Sequence, residues 1–390
     1  ARMIMASLEF TGKVPFKDVY MTGLVRDRKG RKMSKSLGNG LDPLEVVDVY
    51  GADAMKFTLT YLAAQGQDVL LDMDSFKMGS RFANKIWNAS RFLLMRLEGR
   101  NLVPINKIQL STLDQWIYSE LNEAGRKVST ALETYRFNDG SQAVYDFFWN
   151  DFCDWYIEAA KYRLDSADSQ VQDEAVSILL DILAESMRLL HPFLPFITQE
   201  IYSKLPQVTD ELMLSPYPQW KAERNFPEAS AHMASLQESV RLVRGLRAEL
   251  GIPADKKLHV VVRTDKGFAS SQFFVGQKDM IAAFMNAGQL VIDTSASYDI
   301  AGAVPVAGQG FECFLFIREA IDVDGEIKKL HGDLEKNRKA LEGVLKKLSN
   351  EQFINNAKEE AIDKEKSKKA EFEEKITKGE KNLLILENLK

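Results

Sequence analysis

Cysteine is nearly absent from this sequence. Cys153 and Cys313 are the only two among 390 residues, and neither stands in a C-x-x-C pair. This spacing predicts a reducing compartment and offers no ligand set for a structural zinc ion. No apolar run is long enough to cross a bilayer either. We therefore expect a cytoplasmic protein that has no membrane partner and holds no metal of its own.

Further absences limit the possible functions. The pattern G-x-x-x-x-G-K-[ST] does not occur, which excludes an ordinary phosphate-binding loop. The net charge of −5 argues against a general polyanion binder, so any nucleic-acid contact must come from local basic patches. The sequence begins at Ala1, with neither an initiator Met nor a signal peptide, and we expect it to come from the interior of a longer chain. Its length predicts two to four domains.

A basic, hydroxyl-rich segment is the clearest local feature. Residues 30–39 read GRKMSKSLGN, within a stretch 26–36 that is strongly basic. The run 19–25 predicts a short buried strand before it. Asp42 and Pro43 predict the start of a helix behind it. The segment is thus predicted to be a mobile loop whose ammonium, hydroxyl and backbone N–H groups suit a polyphosphate. A solvated turn and a localisation signal are the alternatives.

Two short helices are predicted directly after this loop. They cover residues 42–50 and 52–64 and are separated at Gly51. In the second, the 3.6-residue spacing predicts an apolar face made of Met55, Leu59 and Leu62.

Helical periodicity continues from residue 74 to about residue 202. The first helix is predicted over 75–98, with a buried stripe of Phe82, Ile86, Ala89, Leu93 and Leu97. Its opposite face carries no acid, and asparagine within a helix is a poor helix former. That face is either solvated or a surface for RNA phosphates and splayed bases. Its residues are Arg81, Asn84, Lys85, Asn88 and Arg91.

Three more helices are predicted over residues 111–135, 138–164 and 171–190. The second is crowded with aromatic residues, which at helical spacing indicate a core more often than a platform for bases. His191 is predicted to be structural, because Pro192 breaks the helix there. Residues 203–236 predict a linker, followed by a helix over 236–250. Strands at 257–263, 290–293 and 311–317, with a helix near 277–286, predict a small α+β module.

The last seventy residues show heptad spacing. Apolar residues recur every seven positions at Ile327, Leu334, Leu341 and Leu348, with Leu330 and Val344 between them. After a break at 349–356, Ile362, Ile376 and Leu383 share a second seven-residue register, with Phe372 and Leu386 at the intervening core positions. Two such helices predict an antiparallel coiled coil whose arms of about 25 residues reach roughly 40 Å. An oligomerisation coil is the alternative, but the chain supplies both helices, and we expect a monomer.

Several of these segments carry a family resemblance. KMSKSLGNGLDPLEVVDVYGADAMKF resembles the signature loop and following helices of class I aminoacyl-tRNA synthetases. NKIWNASRFLL is similar to the first helix of the anticodon-binding bundle of the valyl, isoleucyl and leucyl types. DFFWNDFCDWYIE and LLHPFLPFITQEIY resemble the valyl-type anticodon domain. The coiled coil and its LSNEQFINNA loop resemble those of the valyl type. The whole chain therefore resembles the C-terminal half of bacterial-type valyl-tRNA synthetases.

The resemblance implies a fold and a set of domains. The fold is mostly α, with the end of a Rossmann-type catalytic core that bears the KMSKS loop in residues 1–72. A helical anticodon-binding bundle occupies 73–236, a small α+β module 237–320 and an antiparallel coiled-coil arm 321–390. Alternatives are an isoleucyl- or leucyl-type fragment, or a tRNA-binding module without catalysis. The His-x-Gly-His partner of the loop, the valine pocket and the editing domain are not in this sequence, so we expect the chain alone to be inactive.

The resemblance also implies partners and roles for residues. The family activates valine with ATP and Mg²⁺ and transfers it to tRNA(Val). Lys32 and Lys35 are the implied catalytic residues, with Lys35 the main ligand of the ATP phosphates. The same loop contributes Met33, Ser34 and Ser36, of which Met33 anchors the loop and the serines bind phosphate or cap the next turn. Implied tRNA contacts are the acid-free face defined above and, on the arm, Lys336, Arg338 and Lys339.

Overall fold

The computed structural model describes residues 1–206, 211–318, 320–350 and 359–389. The chain divides into two compact units, residues 1–230 and 231–390. Helices dominate, as the sequence predicts, and small sheets occur in both units. No helix in the described ranges is long and apolar enough to cross a membrane.

The first unit opens with short elements around residues 1–72. They are α1 (Arg2–Thr11), β1 (Val25–Arg26), α2 (Pro43–Tyr50), α3 (Ala52–Leu62) and β2 (Val69–Leu70). The predicted start of α2 is confirmed, because the Asp42 side chain accepts a hydrogen bond from the Leu44 N–H and Pro43 occupies the first turn. β1 and β2 pair in parallel.

The predicted buried strand over 19–25 is wrong. Only Val25 of that run belongs to a strand, and the side chains of Val19 and Met21 are 65% and 70% exposed. A β-rich run forms a buried strand only when partner strands and a covering layer are available. Among the described residues of this unit, the partners are the two-residue β2 and an isolated bridge from Lys32 to Arg26.

The predicted apolar face of α3 is displaced from the one observed. Ala54, Phe57 and Thr58 are buried, whereas Leu62 is exposed. The helix packs against α2 and against three later helices of the unit, so its most buried line passes through Phe57. Met55 and Leu59 are partly buried on a separate cluster built from Val46, Val69, Leu71 and Phe76.

The helices of the bundle follow. They are α4 (Lys77–Arg96), α5 (Thr112–Glu133), α6 (Phe137–Asp146), a π-helical segment (Phe147–Ile157), α7 (Glu158–Leu164), α8 (Ser169–Leu190) and α9 (Pro195–Tyr202). A 3₁₀ turn, Met73–Phe76, precedes α4. The predicted stripe of α4 is confirmed at Phe82, Ile86 and Leu93, which are buried.

The aromatic helix differs from the prediction in its pitch. α6, the π-helical segment and α7 form one run, but the middle winds with the wider π turn. In a π-helix, residues five apart bond along the axis, and the rings of Phe147 and Phe152 accordingly stack with centroids 6.4 Å apart. Phe148, Phe152 and Tyr156 are almost fully buried, which confirms the interpretation of these aromatic residues as core.

A buried carboxylate ties α3 to the end of the bundle. Asp53 accepts the backbone N–H groups of Phe196 and Ile197 at the first turn of α9, at 3.2 and 2.7 Å. These N–H groups have no partner within the helix.

The structural role of His191 is confirmed, since its Nδ1 lies 2.9 Å from the Thr198 hydroxyl at the break between α8 and α9.

The second unit begins within a long helix, α10 (Pro227–Glu249). The prediction of a linker up to residue 236 is therefore wrong for its last ten residues. Pro227 is compatible with the first helical turn, where its missing N–H is not needed.

A four-stranded sheet forms the core of the α+β module. Its elements are β3 (Leu258–Thr264), α11 (Ser271–Gly276), α12 (Lys278–Met285), β4 (Ala287–Asp293), β5 (Val304–Gly308) and β6 (Phe311–Phe316). The order is β4-β3-β6-β5, with β3 parallel to β4 and antiparallel to β6. The sequence did not predict β5, because its VPVAG carries the proline and glycine of an edge strand.

Two long helices complete the chain, α13 (Val323–Leu348) and α14 (Glu359–Glu387). They pack side by side and run antiparallel, since Arg338 pairs with Glu380 and Lys347 with Glu365. Ile327, Leu334 and Val344 of the first heptad are buried, as predicted. Most of the predicted break, residues 351–356, lies outside the described residues.

Candidate functional site

The basic loop is built as a return strand followed by a tight turn. After β1, residues Asp27 to Gly30 reverse the chain, with Gly30 at φ 75°. The chain then pairs back, because the Asp27 N–H donates to the Arg31 carbonyl at 2.9 Å and the Met33 N–H to the Val25 carbonyl at 3.1 Å. The backbone of the first half of the loop is therefore fixed by main-chain hydrogen bonds.

The next residues anchor the loop. Met33 is partly buried against the cluster of Val46 and Phe76. The Ser34 hydroxyl accepts the Leu37 N–H at 3.3 Å and caps a 3₁₀ turn, Lys35–Leu37. The hydroxyls of Ser34 and Ser36 are 3.2 Å apart. Of the two roles left open for the serines, the structure thus displays capping for Ser34.

Three cations of the basic stretch are already neutralised. Arg31 pairs with Asp27 in the turn, Arg26 with Asp68 at 2.5 Å, and Arg28 with Asp72. The last two acids lie far away in the sequence, so their effect was not visible in the local charge count. Backbone and side-chain donors from Leu24 and Arg26 lower the pKa of Asp68.

The two lysines of the KMSKS signature differ from these arginines in their pairing. Lys32 and Lys35 are exposed, and neither ammonium group has a hydrogen bond or ion pair with any residue that the structure describes. Lys29, outside the signature, is equally unpaired. The loop therefore presents free positive charge mainly where the sequence predicts a polyphosphate ligand.

The acid-free face of α4 is exposed. Arg81, Asn84, Asn88 and Arg91 all face solvent, and their side chains make no hydrogen bond or ion pair with the described part of the chain. Trp87, on the same side, is 41% exposed. Such a line of free guanidinium and amide groups beside an indole fits RNA phosphates and unstacked bases.

Lys85 differs from its neighbours on this face. It is partly buried, donates to Asp154 at 2.6 Å and lies over the Trp149 ring with its Nζ 5.2 Å from the centroid. The sequence could not reveal this partner, which lies 69 residues away.

The three basic residues predicted on the arm are exposed but paired. Lys336 lies 3.6 Å from Asp333, Arg338 2.6 Å from Glu380 and Lys339 2.7 Å from Glu335. Exposed pairs of this kind contribute little to stability, because water and salt screen them, so a phosphate can compete for these cations. In the described ranges, no group of three or more His, Cys, Asp or Glu side chains is arranged to hold a metal.

Three known families match separate parts of the chain. Residues 1–72 match "tRNA synthetases class I (I, L, M and V)". Residues 114–262 match "Anticodon-binding domain of tRNA ligase", and residues 322–387 match "Valyl tRNA synthetase tRNA binding arm". Helix α4 lies between the first two matches.

Curated relatives match almost the whole chain. A valine–tRNA ligase of Treponema denticola is 48% identical over 97% of this chain and 43% of its own length. One of Borreliella burgdorferi is 40% identical over all of this chain and 44% of its own length. The chain thus spans less than half the length of these relatives. Among solved structures, a LeuRS–tRNA complex from Agrobacterium radiobacter K84 has a TM-score of 0.44 and 23% identity, covering 57% of this chain and 27% of that one.

The arm match favours the valyl type over the isoleucyl and leucyl alternatives, and the relatives agree along the entire sequence. On these grounds the chain belongs to the valyl-tRNA synthetase family, as a C-terminal part of such a protein.

Proposed function

We propose that this chain serves a valine–tRNA ligase in two ways, as the source of its ATP-phosphate loop and of its tRNA-binding surfaces. The whole enzyme would join valine to ATP, release pyrophosphate and transfer the valyl group to tRNA(Val). The chain alone would bind tRNA without catalysing either step. The observation that carries the proposal is the pair of exposed ammonium groups, Lys32 and Lys35, which have no partner among the described residues and stand on an anchored loop.

The proposed chemistry is electrostatic. Negative charge grows on the leaving pyrophosphate as valine attacks the α-phosphate, and preorganised cations stabilise that charge without reorganising. Lys35 is the stronger candidate ligand and Lys32 the second. Mg²⁺ would arrive with ATP as part of the substrate. Met33 would act through its packing, and Ser36 could donate its hydroxyl to a phosphate oxygen.

A second observation supports a larger catalytic domain. Among the residues that the structure describes, the large apolar side chains with high exposure concentrate in residues 1–72, which hold 14 of the 25. Examples are Met3, Phe10 and Leu44, at 72%, 85% and 73%. A free-standing domain rarely leaves so much apolar surface open. We therefore propose that this surface packs against the remaining part of the nucleotide-binding domain.

The lysine assignment is tested in the intact ligase. Lys35→Ala should lower kcat for ATP–pyrophosphate exchange about 100-fold or more, with little change in KM for valine, because the charge that it meets develops in the transition state. Lys29→Ala is the matched control, an unpaired lysine of the same hairpin. Equal exchange rates for Lys35→Ala and Lys29→Ala would refute the assignment. Normal aminoacylation with both Lys32 and Lys35 replaced would favour a tRNA-binding module without catalysis.

We further propose that the exposed face of α4, together with the arm, binds tRNA. Phosphate contacts release counterions, so Arg91→Glu should weaken binding of tRNA(Val) and flatten its dependence on salt concentration. Arg81→Glu should act likewise. Lys204→Glu is the control, because Lys204 is an exposed lysine of the same unit already paired with Glu200 at 2.8 Å. A folded Arg91→Glu protein with unchanged affinity would make this face an ordinary solvated surface.

The arm is proposed to form a coiled coil that reaches a second part of the same tRNA. Its helices of 26 and 29 residues would extend about 40 Å at 1.5 Å per residue. Lys336, Arg338 and Lys339 would exchange their surface acid partners for phosphates.

A further inference from the structure

One side chain holds the basic loop from its far end. Asn39 is partly buried, and its side-chain amide both accepts and donates hydrogen bonds. Its Oδ1 accepts the Ser34 N–H at 3.0 Å, and its Nδ2 donates to the Lys32 carbonyl at 3.3 Å. Asn39 therefore brackets Met33 and fixes the main chain beside both signature lysines.

The same Nδ2 donates to Asp27, at 3.0 Å from Oδ2. Asp27 in turn accepts the N–H groups of Lys29 and Arg31 at 3.0 and 2.9 Å through Oδ1, and the Arg31 Nε at 2.8 Å through Oδ2. Hydrogen bonds from Asn39 and Arg31 hold the pKa of Asp27 well below its usual range. Asp27 thus joins the start of the hairpin to the end of the loop.

In this loop the backbone is held in place, whereas the side chains of the two signature lysines are exposed. The backbone at Lys32 and Ser34 is held by Asn39, and the turn Lys35–Leu37 is held by the Ser34 cap. The ammonium groups of Lys32 and Lys35 have no partner in the described part of the chain. The Asp27–Asn39 bond closes a ring of 13 residues around both lysines, although neither of the two residues belongs to the signature pentapeptide.

We propose that Asn39 and Asp27 are positioning residues, which preset the main chain of the phosphate loop so that Lys32 and Lys35 meet the developing pyrophosphate charge together. This rests on the proposed function of the two lysines. Small displacements of a catalytic group carry large rate effects, about 100-fold for roughly 1 Å. Loss of the Asn39 amide should therefore slow the chemical step and leave the binding of valine and tRNA unchanged.

The test uses ATP–pyrophosphate exchange by the intact ligase. Asn39→Ala should lower kcat about 10- to 100-fold, with KM for valine and affinity for tRNA(Val) unchanged. Asn39→Asp should be at least as slow, because it loses both donors and sets a second carboxylate beside Asp27. Asn101→Ala is the matched control, an exposed asparagine whose side chain has no hydrogen bond in the described part of the chain.

An exchanged pair separates positioning from simple folding. Asp27→Asn with Asn39→Asp restores a hydrogen bond between the two positions with donor and acceptor reversed. It should recover part of the rate lost in Asn39→Asp, although the Lys32 carbonyl still lacks its donor from residue 39. This comparison decides the matter even if Asn39→Ala lowers Tm. An exchanged pair as slow as the single Asn39→Asp variant would overturn the proposal.

The two proposals fail in different ways. Full exchange by Asn39→Ala with loss of exchange by Lys35→Ala would refute the positioning role and leave the lysine assignment intact. Full exchange by both variants would refute the lysine assignment itself.

Discussion

Single aspartates act as connectors throughout the first unit. Asp53 joins α3 to α9, and Asp68 and Asp72 neutralise arginines of the basic loop. Asp114 is 1% exposed and accepts hydrogen bonds from Tyr156 at 2.5 Å and from Arg163 at 2.8 and 2.9 Å. A buried charge of this kind is tolerated because donors surround it.

The Asp114 network gives a stability prediction. Asp114→Ala leaves the Arg163 guanidinium and the Tyr156 hydroxyl without their shared acceptor, and it removes the capping box at Ser111. We expect a loss of about 3–5 kcal/mol in the free energy of unfolding of the helical unit, measured by urea denaturation. Asp165→Ala, which breaks the exposed pair with Arg96 at 2.8 Å, should cost less than about 1 kcal/mol. Similar losses in the free energy of unfolding for the two variants would show that the buried network around Asp114 stabilises the unit no more than an exposed ion pair does.

Asp151 makes stability depend on pH. It lines a cavity of about 250 Å³ with Glu120 and Asp146, and Lys127 is the cation there. Burial first, and the charges of Glu120 and Asp146 second, raise the pKa of Asp151 to about 7. The folded state therefore holds a proton that the unfolded state has released, so this group lowers stability progressively as the pH rises from about 4 to 7.

Asp151→Asn should remove that penalty. At pH 8 we expect the free energy of unfolding to rise by about 1–3 kcal/mol, and the gain should shrink as the pH falls from 7 toward 4. Urea denaturation at pH 5, 6.5 and 8 measures it. Asp165→Asn, an exposed carboxyl, is the control. A gain independent of pH would point to packing rather than to the ionisation of Asp151.

At the level of elements, two glycines in the arm have opposite roles. A Cβ at Gly379 would lie 2.9 Å from Leu334 Cδ2, so this glycine lets α14 approach α13 closely. A Cβ at Gly343, within α13, meets no atom of the described residues within 4 Å. Gly343 therefore lowers helix propensity without any packing benefit.

The two positions form a matched test. Gly343→Ala should stabilise the arm by about 0.5–1 kcal/mol, while Gly379→Leu should force the helices apart and reduce protection of the amides around Leu334 from hydrogen exchange. Hydrogen exchange on the whole chain measures both effects. Equal protection in the two variants would show that the helices do not need close approach at Gly379.

At the scale of the whole molecule, a test of the arm must separate its role in tRNA binding from its role in holding α14 against α10. Asn382 donates to the Glu249 carbonyl at 2.9 Å, and Lys381 lies 3.3 Å from the Glu249 carboxylate, so α14 is fastened to the end of α10. Deleting residues 321–390 would remove this contact as well. Replacing residues 336–380 by a short glycine–serine turn removes Lys336, Arg338 and Lys339 from the arm and keeps Lys381 and Asn382 at Glu249.

We expect the shortened protein to remain a folded monomer with tRNA affinity at least tenfold lower, because it lacks the phosphate contacts of the distal arm. Gel-shift titration and sedimentation measure the two properties. A dimer that shortening converts to a monomer, with tRNA affinity unchanged, would make the arm an oligomerisation device.

Features set by local chemistry were predictable from the sequence. Heptads, the stripe of α4, the cap at Asp42 and the break at His191 follow from side-chain periodicity and from the geometry of proline, which act within a few residues. The family was equally accessible, because its signatures are contiguous. The loop lysines were recognisable for the same reason, and their catalytic role stays a prediction.

Features that depend on residues distant in sequence were not predictable. The strand predicted over 19–25 failed because a strand needs partners, and which lysines and arginines are free depends on Asp68, Asp72 and Asp154. The clamp of Asn39 on Asp27 spans 12 residues of an irregular loop, where no periodicity exists to indicate it. Local interactions specify where elements begin and end, whereas hydrogen bonds and ion pairs between them require the chain to be folded first.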